Sequence, residues 1–525
     1  MLNFFTSNGT NIKNNLLYMQ RICFVSGVCT IPIMTGRLRF PIADNHLAYI
    51  FITLGILIFG IESYLYPNSL TGKQKNIIKF LLVLFLWALL CSVLGVIFYP
   101  SFANIDLNQM RSFRNLFYNI KLFFPSISDL LFLKGWLLYR SVKVSIAYTA
   151  SSYLISFWVY HLYYRDWKVG IRDLKKALIL AAILMISYST IEVGFLCGSY
   201  FCKNILAQIN VRIFDVASGD GWWPPLFWDR LQLRSLFPEP SFLCIFLAMA
   251  IPLFFSEFFN NNKKFSLSNI FVYFCFVMML FMSKARTGTI IFGVEFFLFL
   301  CWACFYAPFT KREKYKGIGL FVGCTALAFV ISLGIMANFK SIDNEVSDSR
   351  DSINVSDYVR NNVTSITGNQ RSNSARKTIL ITAIKVGVNH PIFGVGIQMR
   401  QEYVANQLTV EDKNSVEVNR WLSDMLNEGP MQAGFPDSNH FAVVFAEQGL
   451  IGLGLFIYPT FILLLKFFLQ REQLKYDKHA VVIMIALIGL NMALLSNEDQ
   501  IGFFIIIGLM MSIVVERENC CGERN

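Results

Sequence analysis

The sequence predicts an all-α protein that crosses a membrane about a dozen times, and three observations predict it. Hydrophobic residues fill 55% of the 525 positions and only 15% are charged, well below the quarter that soluble domains usually carry. The apolar residues gather in runs long enough to span a bilayer, which takes about 20 residues. The lysines and arginines gather in short loops between those runs, the pattern that sets membrane topology. The net charge of +12 therefore belongs to topology. A nucleic-acid partner is not expected, because that would need a free-standing basic patch.

Taken in order, the spans fall near residues 18–36, 47–66, 77–99, 144–163, 177–199, 240–258, 269–283, 288–307, 317–337, 440–468, 479–496 and 500–515. The first is the weakest, since its apolar core contains Gly27 and Pro32, and it reads as a retained span rather than a cleaved signal peptide. The apolar run at 127–138 is too short to span and reads as an interfacial helix. Dense basic loops (Lys73 and Lys75; Arg165 to Lys176; Lys263 and Lys264; Lys311 to Lys316; Arg471 to Lys478) all fall on one side of the alternation, which should be cytoplasmic. Residues 100–143 fall on the other side, and their cations, Arg140 among them, run against the scheme.

The chain then divides into amino-terminal spans (1–199), an outer loop (200–239), central spans (240–337), a large outer loop (338–439), and carboxy-terminal spans with a tail (440–525). The large loop is too long for a slack linker and contains a helical pattern, although 341–370 is expected to be mobile. Its stretch 372–389 is amphipathic: Ser374 can cap it, and Ile379, Ala383 and Val386 share one face. It stops at Asn389-His390-Pro391, before a Gly394-Val395-Gly396 turn.

Cations in outward loops ask for a reason. Arg230 and Arg234 precede a span, Lys284 and Arg286 sit in a tight turn between two spans, and Arg371, Arg376 and Lys377 open the amphipathic helix. A guanidinium binds phosphate oxygens through a planar fork with a permanent charge, so such a cluster suits a lipid-linked diphosphate. The bland alternative is that each faces solvent or lipid headgroups. Glu239 lies between Pro238 and Pro240 at the start of a span. There it serves the helix dipole or faces the basic mouth, orienting arginines or accepting a proton. His440 falls in the first turn of a helix that Asp437 or Ser438 can cap. The positive end of that helix favours neutral imidazole, a candidate general base, against the alternative of a packing histidine. Glu447, seven residues on and about 10 Å deeper, reads as a partner for a buried arginine.

The five histidines are scattered, no Asp-x-Asp pair or P-loop occurs, and no Cys-x-x-Cys pair stands beside a second. No metal, nucleotide or other cofactor is therefore expected. Glu62, Glu192 and Glu295 are the acids inside the spans, thin material for an ion-coupled pathway.

The run Phe237-Pro-Glu-Pro-Ser-Phe242, the turn Lys284-Ala-Arg-Thr-Gly288, the stretch Arg376 to Gly396 and the stretch Ser438-Asn-His-Phe…Ala-Glu-Gln-Gly-Leu-Ile-Gly452 together resemble the O-antigen polymerase and ligase superfamily. The likeness covers roughly residues 230–460, and Arg376 followed ten residues later by Gly387 is similar to the Arg-x10-Gly pattern of the polymerases. The resemblance implies an integral-membrane, GT-C-like glycosyltransferase of the bacterial inner membrane, metal-independent and inverting, with its active face periplasmic. It implies an undecaprenyl-diphosphate-linked glycan as donor and acceptor, membrane lipid around the site, and a chain-length regulator protein as a candidate partner. Carried over by position, Arg376 and Arg286 bind or activate the diphosphate, with Arg230, Arg234 and Arg371 as further ligands. His440 activates the acceptor hydroxyl, and Glu239 completes the site. The Pro-Glu-Pro-Ser run looks more like a polymerase than a ligase that passes glycan to lipid A core. A multi-span lipid or polysaccharide transporter is the alternative of another class. It would line the mid-membrane with polar residues and broken helices, whereas here they gather at the outer rim.

Overall fold

The computed structural model describes residues 2–34, 47–67, 70–100, 102, 111–214, 225–228, 231–259, 267–340, 371–429, 433–469, 474, 476–496 and 501–522. Arg230 and the segment 341–370 lie outside them. Every regular element among the described residues is helical: α1 (Leu2–Thr30), α2 (Leu47–Leu65), α3 (Gly72–Ile97), α4 (Arg111–Phe123), α5 (Asp129–Ser151), α6 (Tyr153–Tyr163), α7 (Trp167–Leu196), α8 (Tyr200–Ile213), α9 (Pro240–Phe255), α10 (Leu267–Met282), α11 (Arg286–Phe305), α12 (Lys311–Met336), α13 (Arg371–Asn389), α14 (Arg400–Gln407), α15 (Val410–Lys413), α16 (Val416–Glu428), α17 (His440–Leu469), α18 (Lys478–Ala493) and α19 (Ile501–Gly522). Seven are long and apolar enough to cross a membrane (α2, α3, α7, α9 with the turn after it, α11, α12 and α17), and α10, α18 and Ile501–Val514 are shorter apolar helices. The protein is an all-α polytopic membrane protein.

The centre of the bundle is α9. From Leu243 to Phe255 each of its residues is buried, as an all-round apolar helix requires. It packs on α18, α11 and α10; Phe254 meets Phe276 of α10 and Phe255 meets Phe321 of α12 edge to face, while Phe255 and Phe299 of α11 are tilted. Chain alternation and hydrogen bonds fix which helix ends lie together. Near the start of α7, Lys175 Nζ reaches Ser256 Oγ at 3.1 Å and Glu257 Oε1 at 2.5 Å, just past α9. At the start of α18, Lys478 Nζ donates to the carbonyls of Ser256 and Phe259. At the other ends of these helices, the Leu196 carbonyl accepts from Lys340 N (2.8 Å) and the Leu494 carbonyl from His440 N (2.9 Å). The start of α9, carrying Glu239, is on the His440 side.

One expected boundary moves. The run 127–138 is not a separate interfacial helix but the first half of α5, and the span expected at 144–163 is broken at Ser152 (φ −110°, ψ −115°). Leu133, Leu137, Ser141 and Ser145 form a buried i, i+4 stripe, so nothing ends the helix at 138.

Residues 371–446 build a second, smaller core on the His440 side. Ala375, Ile379, Ala383 and Val386 of α13 bury one face against Val404, Leu408, Val418, Met425 and Phe435, and against Ala442 and Ala446 of α17. The face expected from the sequence is the buried one. The helix begins at Arg371, earlier than a Ser374 cap would have it, and Ser374 is exposed within it.

Candidate functional site at the His440 end

The site is organised by a crossing of two chain segments. Residues 390–396 run across α17 where Gly449 (φ +67°, ψ −170°) interrupts the helix. Carbonyls freed there are used at once. Val395 N donates to Ala446 O and Gly396 N to Glu447 O, both at 2.9 Å, and Leu450 N donates back to Pro391 O at 2.7 Å. Non-helical backbone at membrane depth is tolerable only when buried and satisfied in this way. Gly394 (φ +64°) touches the Glu447 backbone so closely that a Cβ would collide with it, and Gly95 of α3 lies equally close to Val395 O. Gly394 and Gly449, both in stretches that carried the sequence resemblance, are thus points of backbone contact.

The crossing holds a buried charge cluster. Arg400, 1% exposed, forms an ion pair with Asp437, donates from Nη2 to Phe435 O at 3.2 Å, and brings Nε to 3.4 Å from Glu447 Oε1. Glu447 therefore has the buried arginine that its position demanded. Arg140 Nη2 donates to Gln398 Oε1 at 3.0 Å, so this cation, which ran against the topology scheme, faces the protein and not a loop. Tyr99 is buried close by; burial and the Glu402 carboxylate push its phenol far above the ordinary range. These contacts draw the turn 435–439 tight ahead of α17. Asp437 and Ser438, the expected caps, are engaged elsewhere: Asp437 with Arg400, and Ser438 Oγ with the Arg376 carbonyl at 3.5 Å. Asn439 caps instead, accepting from Ala442 N at 3.0 Å.

His440 is the first residue of α17, as expected. Its ring is 6% exposed and packs on Phe456, centroids 4.8 Å apart. The Ser438–Arg376 bond brings the start of α13 beside the start of α17, so Arg376, exposed, and His440 are neighbours in space though 64 positions apart. Gly387 lies against the Phe445 ring, where an added Cβ would be 2.6 Å from Cε1. Arg371 belongs to the first turn of α13.

Glu239 is the N-cap residue of α9, with Pro240 first in the helix; it accepts from Ser241 Oγ, and no side-chain cap bond forms. Arg286 opens α11 at the same end, half-buried. The preceding Lys284 has φ +51°, and burial lowers its amine from the usual value. Arg234 is spent differently. It is 1% exposed, lies over the Phe214 ring at 4.8 Å, and donates to the carbonyls of Pro225, Leu226 and Pro238. Glu192 of α7 accepts from the backbone N–H groups of Arg234 (3.2 Å) and Ser235 (2.8 Å). Among the described residues the non-glycine positive φ values fall at Leu231, Ser235, Lys284 and Gln398. All lie in the loops that carry these cations, where backbone strain commonly collects at working sites.

Sequence reasoning missed Arg400, Glu402 and Arg140 as members of the cluster. The signal was Glu447 itself: a carboxylate inside a span calls for a cation, and Arg400 ends the glycine turn that crosses it. Beside the crossing, a cavity of about 640 Å³ is lined mostly by apolar groups from Leu94 and Phe98 to Ile392 and Phe393, with His390 and Tyr403 at its polar points. Burial lowers the His390 imidazole below its ordinary range. Among the described residues no group of three or more His, Cys, Asp or Glu side chains is placed to hold a metal ion.

No curated protein and no solved structure matches the chain. Residues 271–457, about a third of the chain, match the model of a family described as O-antigen ligase. The matched stretch runs from α10 into α17 and so contains Arg286, Arg371, Arg376, Arg400, His440 and Glu447. Residues 271–457 are thus supported as a domain of the O-antigen polymerase and ligase superfamily.

Proposed function

We propose that the protein joins undecaprenyl-diphosphate-linked oligosaccharide units into O-antigen or a related surface polysaccharide. In this reading it works at the periplasmic face of the inner membrane, by metal-independent inverting glycosyl transfer. The observation that supports it most is the pairing of a basic helix start with a histidine. Arg376 at the start of α13 lies beside His440 at the start of α17, with Glu239 and Arg286 at the same end of the bundle. The acceptor hydroxyl gives its proton to the His440 imidazole as it attacks the donor's anomeric carbon. The C–O bond to undecaprenyl diphosphate breaks, and Arg376, Arg286 and Arg371 neutralise the charge that leaves; Arg230 is proposed in the same role. Arg234, turned onto carbonyls, shapes the loop before α9 in this reading, and Glu239 orients the arginines or shares the proton. The apolar cavity beside the crossing suits an isoprenoid chain.

The family description favours a second reading, in which the glycan passes to lipid A core. The Pro-Glu-Pro-Ser run favours polymerisation. Lipopolysaccharide gels from cells with the gene deleted and restored separate the two. Single units on core with no ladder mean a polymerase, and bare core with unit synthesis and export intact means a ligase. An unchanged ladder, with every other surface polymer also unchanged, overturns both. Within either reading, Arg376→Ala and His440→Ala should each remove activity while the protein still inserts in the membrane. Full activity at equal protein level would take that residue out of the mechanism.

A further inference from the structure

At the end of the bundle opposite His440, a cavity of about 320 Å³ is lined by Lys168, Ile171, Arg172, Lys175 and His479. The four α7 residues stand at i, i+3, i+4 and i+7, so three cations share one helical face. Like charges at that spacing repel, and nothing in α7 itself separates them. A fourth cation, Lys478, reaches Ser256 O and Phe259 O, against which Lys175 also packs. Among the carboxylates of the described residues here, Asp166 caps α7 by accepting from Val169 N at 3.2 Å, and two more stand among the cations. Glu257 is held by Lys175 at 2.5 Å, and Asp477 caps α18 by accepting from His479 N at 3.0 Å. Asp173, the remaining acid on α7 here, is taken by Arg21 through two bonds of 2.7 and 3.1 Å. Positive charge is therefore in excess around a cavity, and Lys175 within it is only 12% exposed. Among the described residues, His479 Nδ1 is buried there with no hydrogen-bond partner. Basic loops alone account for exposed lysines at a membrane surface; they do not account for a lined cavity with an unused buried ring nitrogen.

We infer that this cavity binds a phosphate group, carried by an anionic phospholipid whose headgroup enters between the starts of α7 and α18. The two helix N-termini add their dipoles to the same attraction. Lys168 and Arg172, both exposed at the rim, bind the phosphate oxygens, and His479 Nδ1 bonds to it from the buried side. The inference is independent of the chemistry at the His440 end.

Native mass spectrometry of the full chain, delipidated and offered phosphatidylglycerol and phosphatidylcholine in equal amounts, tests it. Wild type should retain phosphatidylglycerol in preference by on the order of tenfold. At about fivefold per charge removed, Lys168→Gln with Arg172→Gln should abolish that preference. Lys311→Gln with Arg312→Gln, in another basic loop, should keep the preference. Should the double variant not purify as one species, Lys168→Gln alone is read for its fivefold loss. If no lipid is preferred but millimolar inorganic phosphate raises the melting temperature of wild type and not of the variant, the phosphate site stands with a soluble source. Equal retention by wild type and the cavity variant with no phosphate effect, or an equal loss in the Lys311/Arg312 control, overturns the inference.

Discussion

Arg234 and Arg400 are both 1% exposed at the His440 end of one membrane protein, yet their charges are met in different ways. Around Arg234 the hydrogen-bond partners are neutral, three carbonyls, with the face of Phe214 beside them; the buried Glu192 accepts from backbone N–H groups and acts on the guanidinium through space, without an ion-pair contact. Around Arg400 they are the carboxylates of Asp437 and Glu447. Carbonyl bonds fold one loop around a cation, since Pro225, Leu226 and Pro238 belong to the same segment as Arg234. An ion pair ties two distant segments together, and losing one member leaves the other stranded. The Arg234 loop is therefore a local staple, whereas the Arg400 cluster locks α14, the turn before α17 and α17 itself into one unit that sets His440.

The largest break in this comparison should come from Arg400→Ala, which strands Glu447 and should cost about 3–5 kcal/mol. Thermal melting in detergent measures it, and adding Glu447→Gln should restore part of the loss. If the double variant is no better than the single, the ion pair is not what holds the crossing. Next in size is Gly449→Ala. It forces a side chain into a left-handed backbone position against Ile392 O and should cost about 2–3 kcal/mol, read in the same melt. Arg234→Ala should cost about 2 kcal/mol, because water can reach part of the loop and replace its bonds to the carbonyls. Faster amide exchange should be confined to residues 231–238. Spread of that exchange into α17 would erase the distinction between staple and lock.

The smallest effect concerns the cap of α15 on the same outer core. Burial would raise the Asp412 carboxyl, but the N–H and hydroxyl of Thr409 and the hydroxyl of Thr378 outweigh it and hold it below its usual value. A depressed folded value means that this stabilisation is present above the ordinary aspartate range and is lost as pH falls through the folded one. The protection of amides 409–413, taken relative to the intrinsic exchange rate at each pH, should fall between neutral pH and about pH 3, and Asp412→Asn should remove that dependence.

The spans were legible because lipid demands long apolar runs and leaves cations to the loops. α3, α7, α9, α11, α12 and α17 appear where those runs lie. The buried face of α13 was legible from Ile379, Ala383 and Val386, since period alone assigns a helical face. The α5 boundary was not, because buried serines continued its stripe and hydrophobicity does not count them. Arg400 was hidden for a related reason: in sequence it is one more cation in an outer loop. Asp437 and Asn439 both suit a cap, and it took Arg400 to claim Asp437 and leave the cap to Asn439.

By itself the sequence determined the membrane class, the helical runs, the amphipathic face of α13 and the residues able to meet a diphosphate, because each follows from composition and local spacing. Only the tertiary structure decided which arginines face carbonyls and which face carboxylates, and that residues 390–396 cross α17 at Gly449. It also decided that Arg376 stands beside His440. Those are contacts between segments tens to hundreds of positions apart, and local spacing holds no information about which distant chain will satisfy a buried charge or an opened helix.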